Sequence, residues 1–323
     1  MSPVRGIRRG AARPAKRVTV TAHAKLNLGL RVGPPRADGF HDLVTVFQSV
    51  SLADTLIAER TGRGYSLVVR HEEAALRGTQ GRAARTGVPG GGDNLVLRGA
   101  RLAAGRLGLK GGARFTLVKR IPARAGMGGG SADGAAAIAA MLALHGVPLR
   151  REGRIRLAAE LGSDVPFAIT GGTALGLGRG EVLRPLRRTR PLRALVVVPA
   201  WRVSTADAFR RLDGTKYGLT AWKRLLRLAA SLGREQVTAF ERMRLGNDFE
   251  KVLGQRRHDF EGLRTRMRRA GLLDPHLTGS GSGVFGFVPE GVSVREIAGR
   301  FPGPEPIYQV RSVGRGLRLI AKR

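Results

Sequence analysis

Mixed α and β structure in two lobes is what the chain predicts, and three features carry that reading. Its 323 residues, 42% of them hydrophobic, suffice for a substantial core and by length for two domains. Short apolar or alternating runs interleave with helical patterns, punctuated by 47 glycines. A basic, proline-flanked stretch from Arg184 to Arg193 divides them. The division expected is a tail over 1–17, an N-terminal lobe over 18–190 and a C-terminal lobe over 191–323.

Met1 to Lys16 is rich in Arg, Pro, Gly and Ala and is expected to be disordered. Val18 to His23 alternates as a first strand and leads into Ala24-Lys25-Leu26-Asn27-Leu28. Pro34 to His41 reads as a loop, and Leu43–Leu52 and Tyr65–Arg70 as strands. His71 to Gly92 shows no periodicity and is expected to be a mobile insertion. A helix follows from Asn94 to Leu107, then a strand from Ala113 to Lys119.

Next comes the stretch that promises chemistry: Pro122-Ala123-Arg124-Ala125-Gly126-Met127-Gly128-Gly129-Gly130-Ser131-Ala132-Asp133. It lies between that strand and an Ala-rich helical run, Ala135 to Leu144. Glycines allow close approach of a ligand, and a helix beginning near Ser131 as cap would aim free N–H groups and its positive dipole end at a phosphate. The spacing matches neither a Walker A loop nor a dinucleotide fingerprint.

Glu152 to Leu161 is a further helix closed by Gly162, and Ser163-Asp164-Val165-Pro166 opens the next element. Gly171 to Gly180 reads as a glycine-punctuated strand and turn. Beyond the lobe boundary, Ala194–Pro199 is a buried strand. Helices are expected near Ala221–Leu232, Glu235–Arg242 and His258–Ala270, with Phe260, Leu263 and Met267 on one face of the last. Leu277 to Gly283 forms a second glycine loop, and Val284–Val288 and Tyr308–Val313 finish as strands.

Composition narrows the function. There is no cysteine, hence no disulfide or thiolate metal site, and no apolar run long enough to span a bilayer. A cytoplasmic enzyme is expected. The formal charge of +33 invites a nucleic-acid partner. However, the excess is mostly arginine: 57 basic residues less 8 lysines leaves 49, scattered along the chain. With only 5% aromatic residues there is no base-stacking platform, so nucleic acid is not the expected partner. Histidines are dispersed, without metal-ligand spacing.

Lys25 at a strand end is either a solvated lysine or a charge that stabilises a transferring phosphoryl group. Asp164 is either a helix cap or a carboxylate that takes a proton from a substrate hydroxyl. Of Phe40 and His41, pattern alone puts Phe40 in the core and His41 in solvent; alternatively, both would face a ring-bearing ligand.

Together, Ala24–Leu28, Pro122–Asp133 and Leu277–Gly283 resemble the three motifs of the galactokinase, homoserine kinase, mevalonate kinase and phosphomevalonate kinase (GHMP kinase) superfamily. Arg36-Ala-Asp-Gly-Phe-His41, Gly162-Ser-Asp-Val-Pro-Phe167 and Gly246-Asn-Asp-Phe-Glu250 resemble the members that phosphorylate a cytidine-diphosphate-linked methylerythritol. The resemblance implies a two-lobed α+β fold, its N-terminal lobe of the ribosomal protein S5 domain 2-like type with a left-handed βαβ unit. It implies Lys25 and Asp164 as the catalytic pair, and ATP held over Pro122–Ala132, with Mg²⁺ on the phosphates and Ser131 as a candidate ligand. Asn27, Phe40, His41, Thr205 and Phe209 would hold the small-molecule substrate, Phe209 facing its cytosine, in a monomer or homodimer. Phe40 stands where these members usually carry Tyr, keeping the stacking face without the hydroxyl. Met127 replaces a common Leu, and Gly134 a common Ala, which is expected to weaken its helix slightly.

Overall fold

The computed structural model describes residues 13–76, 91–186, 191–213, 218–232 and 246–322. The expected tail falls mostly, and the helix at Glu235–Arg242 wholly, outside the described residues, as does most of the insertion from His71 to Gly92.

The first sheet is built on two long antiparallel strands, β1 (Arg17–Pro35) and β2 (His41–Thr61). Both outrun the sequence expectation. Ala24 to Leu30 is buried without alternation because both faces of β1 are covered, so the period-two signal disappears there. Lys25 therefore lies inside a strand and not after one, at a register shift between His23 and Lys25. β2 carries two partners along one edge. Its first half pairs with β5 (Thr173–Leu177), and its second half with β4 (Gly112–Lys119). β3 (Tyr65–His71) lies parallel to β4, joined to it through a helix, while β6 (Val182–Pro185) pairs with β5 and extends into the expected boundary stretch. The second sheet runs β10-β7-β9-β8, all antiparallel: β7 is Arg193–Val197, β8 Leu273–Leu277, β9 Val284–Phe287 and β10 Ile307–Arg311. β11 (Leu317–Lys322), which the sequence pattern did not reveal, returns to the first sheet against β1. With only one residue of β11 partly packed on the core, no apolar alternation marks it.

Two helices lie on one face of the first sheet, α1 (Leu95–Leu107), capped by the Asn94 side chain, and α2 (Gly129–Leu144), and α3 (Arg151–Leu161) packs against both. α2 is buried nearly all round, so its Ala-rich sequence shows no polar face. Its glycine has a task the propensity argument missed. A Cβ on Gly134 would lie 2.7 Å from Leu161, and one on Gly99 of α1 would lie 2.8 Å from the Gly134 carbonyl oxygen. Close packing of α1, α2 and α3 requires the missing side chain, outweighing its cost to helix propensity.

α4 (Val165–Thr170) follows α3 directly. In the second half, α7 (Arg257–Arg269) and α8 (Val294–Arg300) pack on the second sheet, whereas α5 (Thr205–Asp213) reaches β1 and α6 (Leu219–Leu232) lies against β1 and β2 of the first. α7 buries Phe260, Leu263 and Met267, the stripe the sequence marks. α5 and α8 were not expected; both are short, and α5 buries only Ala208 and Leu212. A continuous apolar cluster, including Leu26, Leu28, Val44 and Val46 with Val196, Phe285 and Tyr308, joins the two sheets. Among the described residues no helix is long and apolar enough to cross a membrane.

Candidate active site

The glycine loop separates two cavities. The larger, about 800 Å³, is walled by β1, β2, the α5 segment and the second glycine loop; the smaller, about 380 Å³, lies on the other side of Pro122–Ser131. Arg124, Gly126, Gly128 and Ser131 line both. A ligand in either cavity therefore meets the other across this loop.

α2 begins three residues earlier than expected. Gly128, with φ at +70°, takes the capping position, and the Ala132 N–H donates to the Gly128 carbonyl at 2.9 Å. Ser131 is consequently not the cap; it sits in the first turn with its side chain toward the cavities. The first-turn N–H groups still point at this space, as anion binding at a helix start requires. Ala132 is fully buried.

The two glycine loops touch. The Gly283 N–H donates to the Ala125 carbonyl at 3.2 Å. The Thr278 hydroxyl accepts from the Asn27 N–H at 3.1 Å and donates to the Gly126 carbonyl at 3.2 Å. At Gly126 (φ +71°) a Cβ would lie 1.9 Å from the Thr278 carbonyl oxygen, so only glycine permits this contact.

On the larger cavity's floor, Lys25 Nζ lies 3.5 Å from Asp164 Oδ2 and donates to Asn27 Oδ1. Asn27 Nδ2 donates to Thr45 Oγ1 at 2.8 Å, and that hydroxyl donates to the Gly29 carbonyl at 2.7 Å. The chain of donors fixes which way the Asn27 amide faces, and so fixes its oxygen on Lys25. Lys25 is 7% exposed, its stem passing Gly128 and its ammonium 5.6 Å from the Phe47 ring centroid. The solvated alternative for Lys25 does not hold. Nor does the capping alternative for Asp164: it precedes α4, but its side chain makes no cap hydrogen bond. Its carboxylate is about one-third exposed, toward the cavity.

Phe40 and His41 are the reverse of the pattern-based expectation. Phe40 is 49% exposed at the tip of the 36–40 turn, with the Arg179 guanidinium 4.7 Å from its ring centroid. His41 is buried: Nδ1 is 2.9 Å from the Gly33 carbonyl, Nε2 is 3.1 Å from Asp213, and its ring stacks on Phe209 at 5.1 Å. Two polar partners and an aromatic face compensate its burial, which sequence alternation cannot register. Thr205 shares a 2.7 Å hydroxyl contact with Ser280, and Asn27, Phe40, His41, Thr205 and Phe209 all line the larger cavity.

The sequence reading missed a buried ion triad beneath the smaller cavity. Lys119 donates to Asp133 at 2.7 Å and to Asp54, with all three side chains within 4% of full burial. Burial pushes the Asp133 carboxyl up, partly opposed by the Lys119 charge. Lys119 and Asp133 stood in view, bracketing the glycine loop. Asp54, 65 residues from Lys119, gave no local signal. Arg179 and Arg202 also line the larger cavity and add positive charge to it.

Residues 94–172, from the α1 cap through the first glycine loop to just past α4, match the GHMP kinases N terminal domain. The fold is that of this kinase class: a homoserine kinase from Cytophaga hutchinsonii aligns with a TM-score of 0.70 at 18% identity, over 94% of this chain and 98% of its own. A crystal structure of 4-(cytidine 5'-diphospho)-2C-methyl-D-erythritol kinase aligns with a TM-score of 0.69 at 32% identity, covering 92% of this chain and 99% of its own. The 4-diphosphocytidyl-2-C-methyl-D-erythritol kinase of Pelotomaculum thermopropionicum is 36% identical over 88% of this chain and 93% of its own. The chain belongs to this family of 4-diphosphocytidyl-2-C-methyl-D-erythritol kinases.

Proposed function

We propose that the protein transfers the γ-phosphoryl group of ATP to the C2 hydroxyl of 4-(cytidine 5'-diphospho)-2-C-methyl-D-erythritol, giving the 2-phosphate and ADP, a step of the non-mevalonate route to isoprenoids. The observation that carries the mechanism is the Lys25–Asp164 pair, 3.5 Å apart, on the acceptor side of the loop shared by both cavities.

ATP occupies the smaller cavity, with its phosphates over Gly126–Ser131 at the start of α2. The acceptor occupies the larger cavity, its cytidine end among Asn27, Phe40, His41, Thr205 and Phe209. Because His41 covers one face of Phe209, the cytosine meets the opposite face of that ring, or its edge, and the exposed ring of Phe40. Arg179 and Arg202 sit where the diphosphate passes. Asp164 accepts the C2 hydroxyl proton as that oxygen attacks the γ-phosphorus, and Lys25 balances the charge that builds on the transferring group.

Among the described residues no three His, Cys, Asp or Glu side chains converge as a metal cage. Mg²⁺ commonly takes only one or two protein ligands beside nucleotide phosphates, and the Ser131 hydroxyl, facing both cavities, fits that role. When bound, the ion neutralises charge on the phosphate oxygens. The assembly that goes with this reading is a monomer or a homodimer. The working division is into lobes 18–190 and 191–323, with β11 reaching back to the first.

The test is ADP release with the cytidine substrate against mevalonate and homoserine. Turnover only with the first supports the reading, and equal turnover with the others refutes it. Asp164→Asn should bind nucleotide normally and lose about 10²–10⁴-fold in turnover; a nearly unchanged rate removes the base assignment.

A further inference from the structure

The Gly246–Glu250 turn takes no part in the chemistry above, yet it holds three pieces of the acceptor cavity. Asn247, 4% exposed, donates its amide to the Leu277 carbonyl at 3.0 Å and the Gly279 carbonyl at 2.7 Å, one on each side of Thr278. Its Oδ1 accepts from the Phe249 N–H at 3.0 Å. Glu250 accepts from the Leu277 N–H at 2.9 Å, so the chain entering the second glycine loop is gripped at N–H and carbonyl alike. On the other side the turn holds β1. The Leu30 N–H donates to the Gly246 carbonyl at 3.0 Å, and Asp248 accepts from the Val32 N–H at 3.0 Å and from Arg31 at 3.1 Å. Phe249 meets Phe209 edge-on at 5.0 Å.

β1 carries Lys25 and Asn27; the second loop carries Thr278, whose hydroxyl joins Asn27 to Gly126. A one-ångström slide of that loop would break both hydrogen bonds of the hydroxyl and shift the donors around Lys25. We propose that Asn247, supported by Glu250, is a positioning residue for phosphoryl transfer, setting the second glycine loop in register with Lys25 and the phosphate loop. This rests on the reading that the larger cavity takes the acceptor. Gly279, Ser280 and Gly281 line that cavity, while none of the second loop lines the smaller one. Loss of position should therefore reach the acceptor and the chemical step and spare nucleotide binding.

The test uses Asn247→Asp in the full chain, which keeps volume and the acceptor for the Phe249 N–H but removes both amide donors. Expected are a fall of tenfold or more in kcat/KM for the acceptor, affinity for a fluorescent ATP analogue within twofold of wild type, and amide hydrogen exchange at 277–283 accelerated at least tenfold. The exchange measurement does not depend on which acceptor the enzyme uses, so it separates failure of this proposal from failure of the functional reading. Glu250→Ala should give the same pattern and Glu250→Gln, which retains an oxygen for the Leu277 N–H, should largely restore it. Unchanged exchange at 277–283, or nucleotide affinity lost in parallel with turnover, overturns the proposal. So does failure of both Asn247→Asp and Glu250→Ala to fold, which would make the turn purely structural.

Discussion

His276, one residue before the second glycine loop, should make the stability of this protein fall in mildly alkaline solution. Its Nδ1 lies 2.9 Å from Glu250 and its Nε2 3.0 Å from Asp274, so both ring nitrogens face carboxylates and both must carry a proton to donate. Burial pulls the imidazole pKa down, but the hydrogen bonds and charges of Asp274 and Glu250 outweigh it and raise it from 6.5 to about 9. A group raised on folding stabilises fully below its unfolded pKa, and that stabilisation is lost as pH climbs through the folded value. The window is therefore roughly pH 6.5 to 9. At about 1.4 kcal/mol per pKa unit, the contribution is about 3–4 kcal/mol. The assay is urea unfolding of wild type and His276→Gln at several pH values between 6 and 10. Subtracting the variant removes the titration of every other group common to both proteins. Wild type minus variant should decline by about 3–4 kcal/mol across the window and then level off. A difference that is flat with pH, or that grows, refutes the argument.

Other perturbations test the site and its support. Lys25→Met keeps a stem against Gly128 but removes the charge beside Asp164; kcat should fall about 10²–10³-fold with nucleotide affinity retained, as steady-state kinetics and analogue binding would reveal. Gly126→Ala forces a side chain onto the Thr278 carbonyl at φ +71°; a loss of roughly 1–3 kcal/mol in urea unfolding is expected, together with impaired turnover. Lys119→Met leaves Asp54 and Asp133 buried without their cation and should cost about 3–5 kcal/mol in the same measurement. A variant as stable as wild type would show that the triad does not need its charge.

Elements marked by local pattern match those observed, and the differences share a cause. Strand, glycine loop and Ala-rich helix lie within some thirty residues, so spacing and propensity mark Pro122–Asp133 as a candidate phosphate cradle. A hydroxyl is the usual cap, so pattern puts the helix start at Ser131; Gly128 takes that position through a backbone angle with no side-chain signature. Phe40 and His41 exchange their expected places because burial of a histidine depends on Gly33, Asp213 and Phe209, none of which is visible in local alternation. β11 escaped notice because its pairing with β1 spans nearly the whole chain.

The sequence by itself determined the mixed two-lobed class, the two glycine loops and, through their resemblance to known motifs, Lys25 and Asp164 as residues to watch. Only the tertiary structure decided that the loops touch through Thr278, that Lys25 and Asp164 lie 3.5 Å apart across 139 residues of chain, and that Asp54 closes an ion triad beneath the first glycine loop. Periodicity and spacing report on bonds made within a few residues. Contacts between distant segments depend on how whole sheets and helices pack, and that information is spread over the entire core.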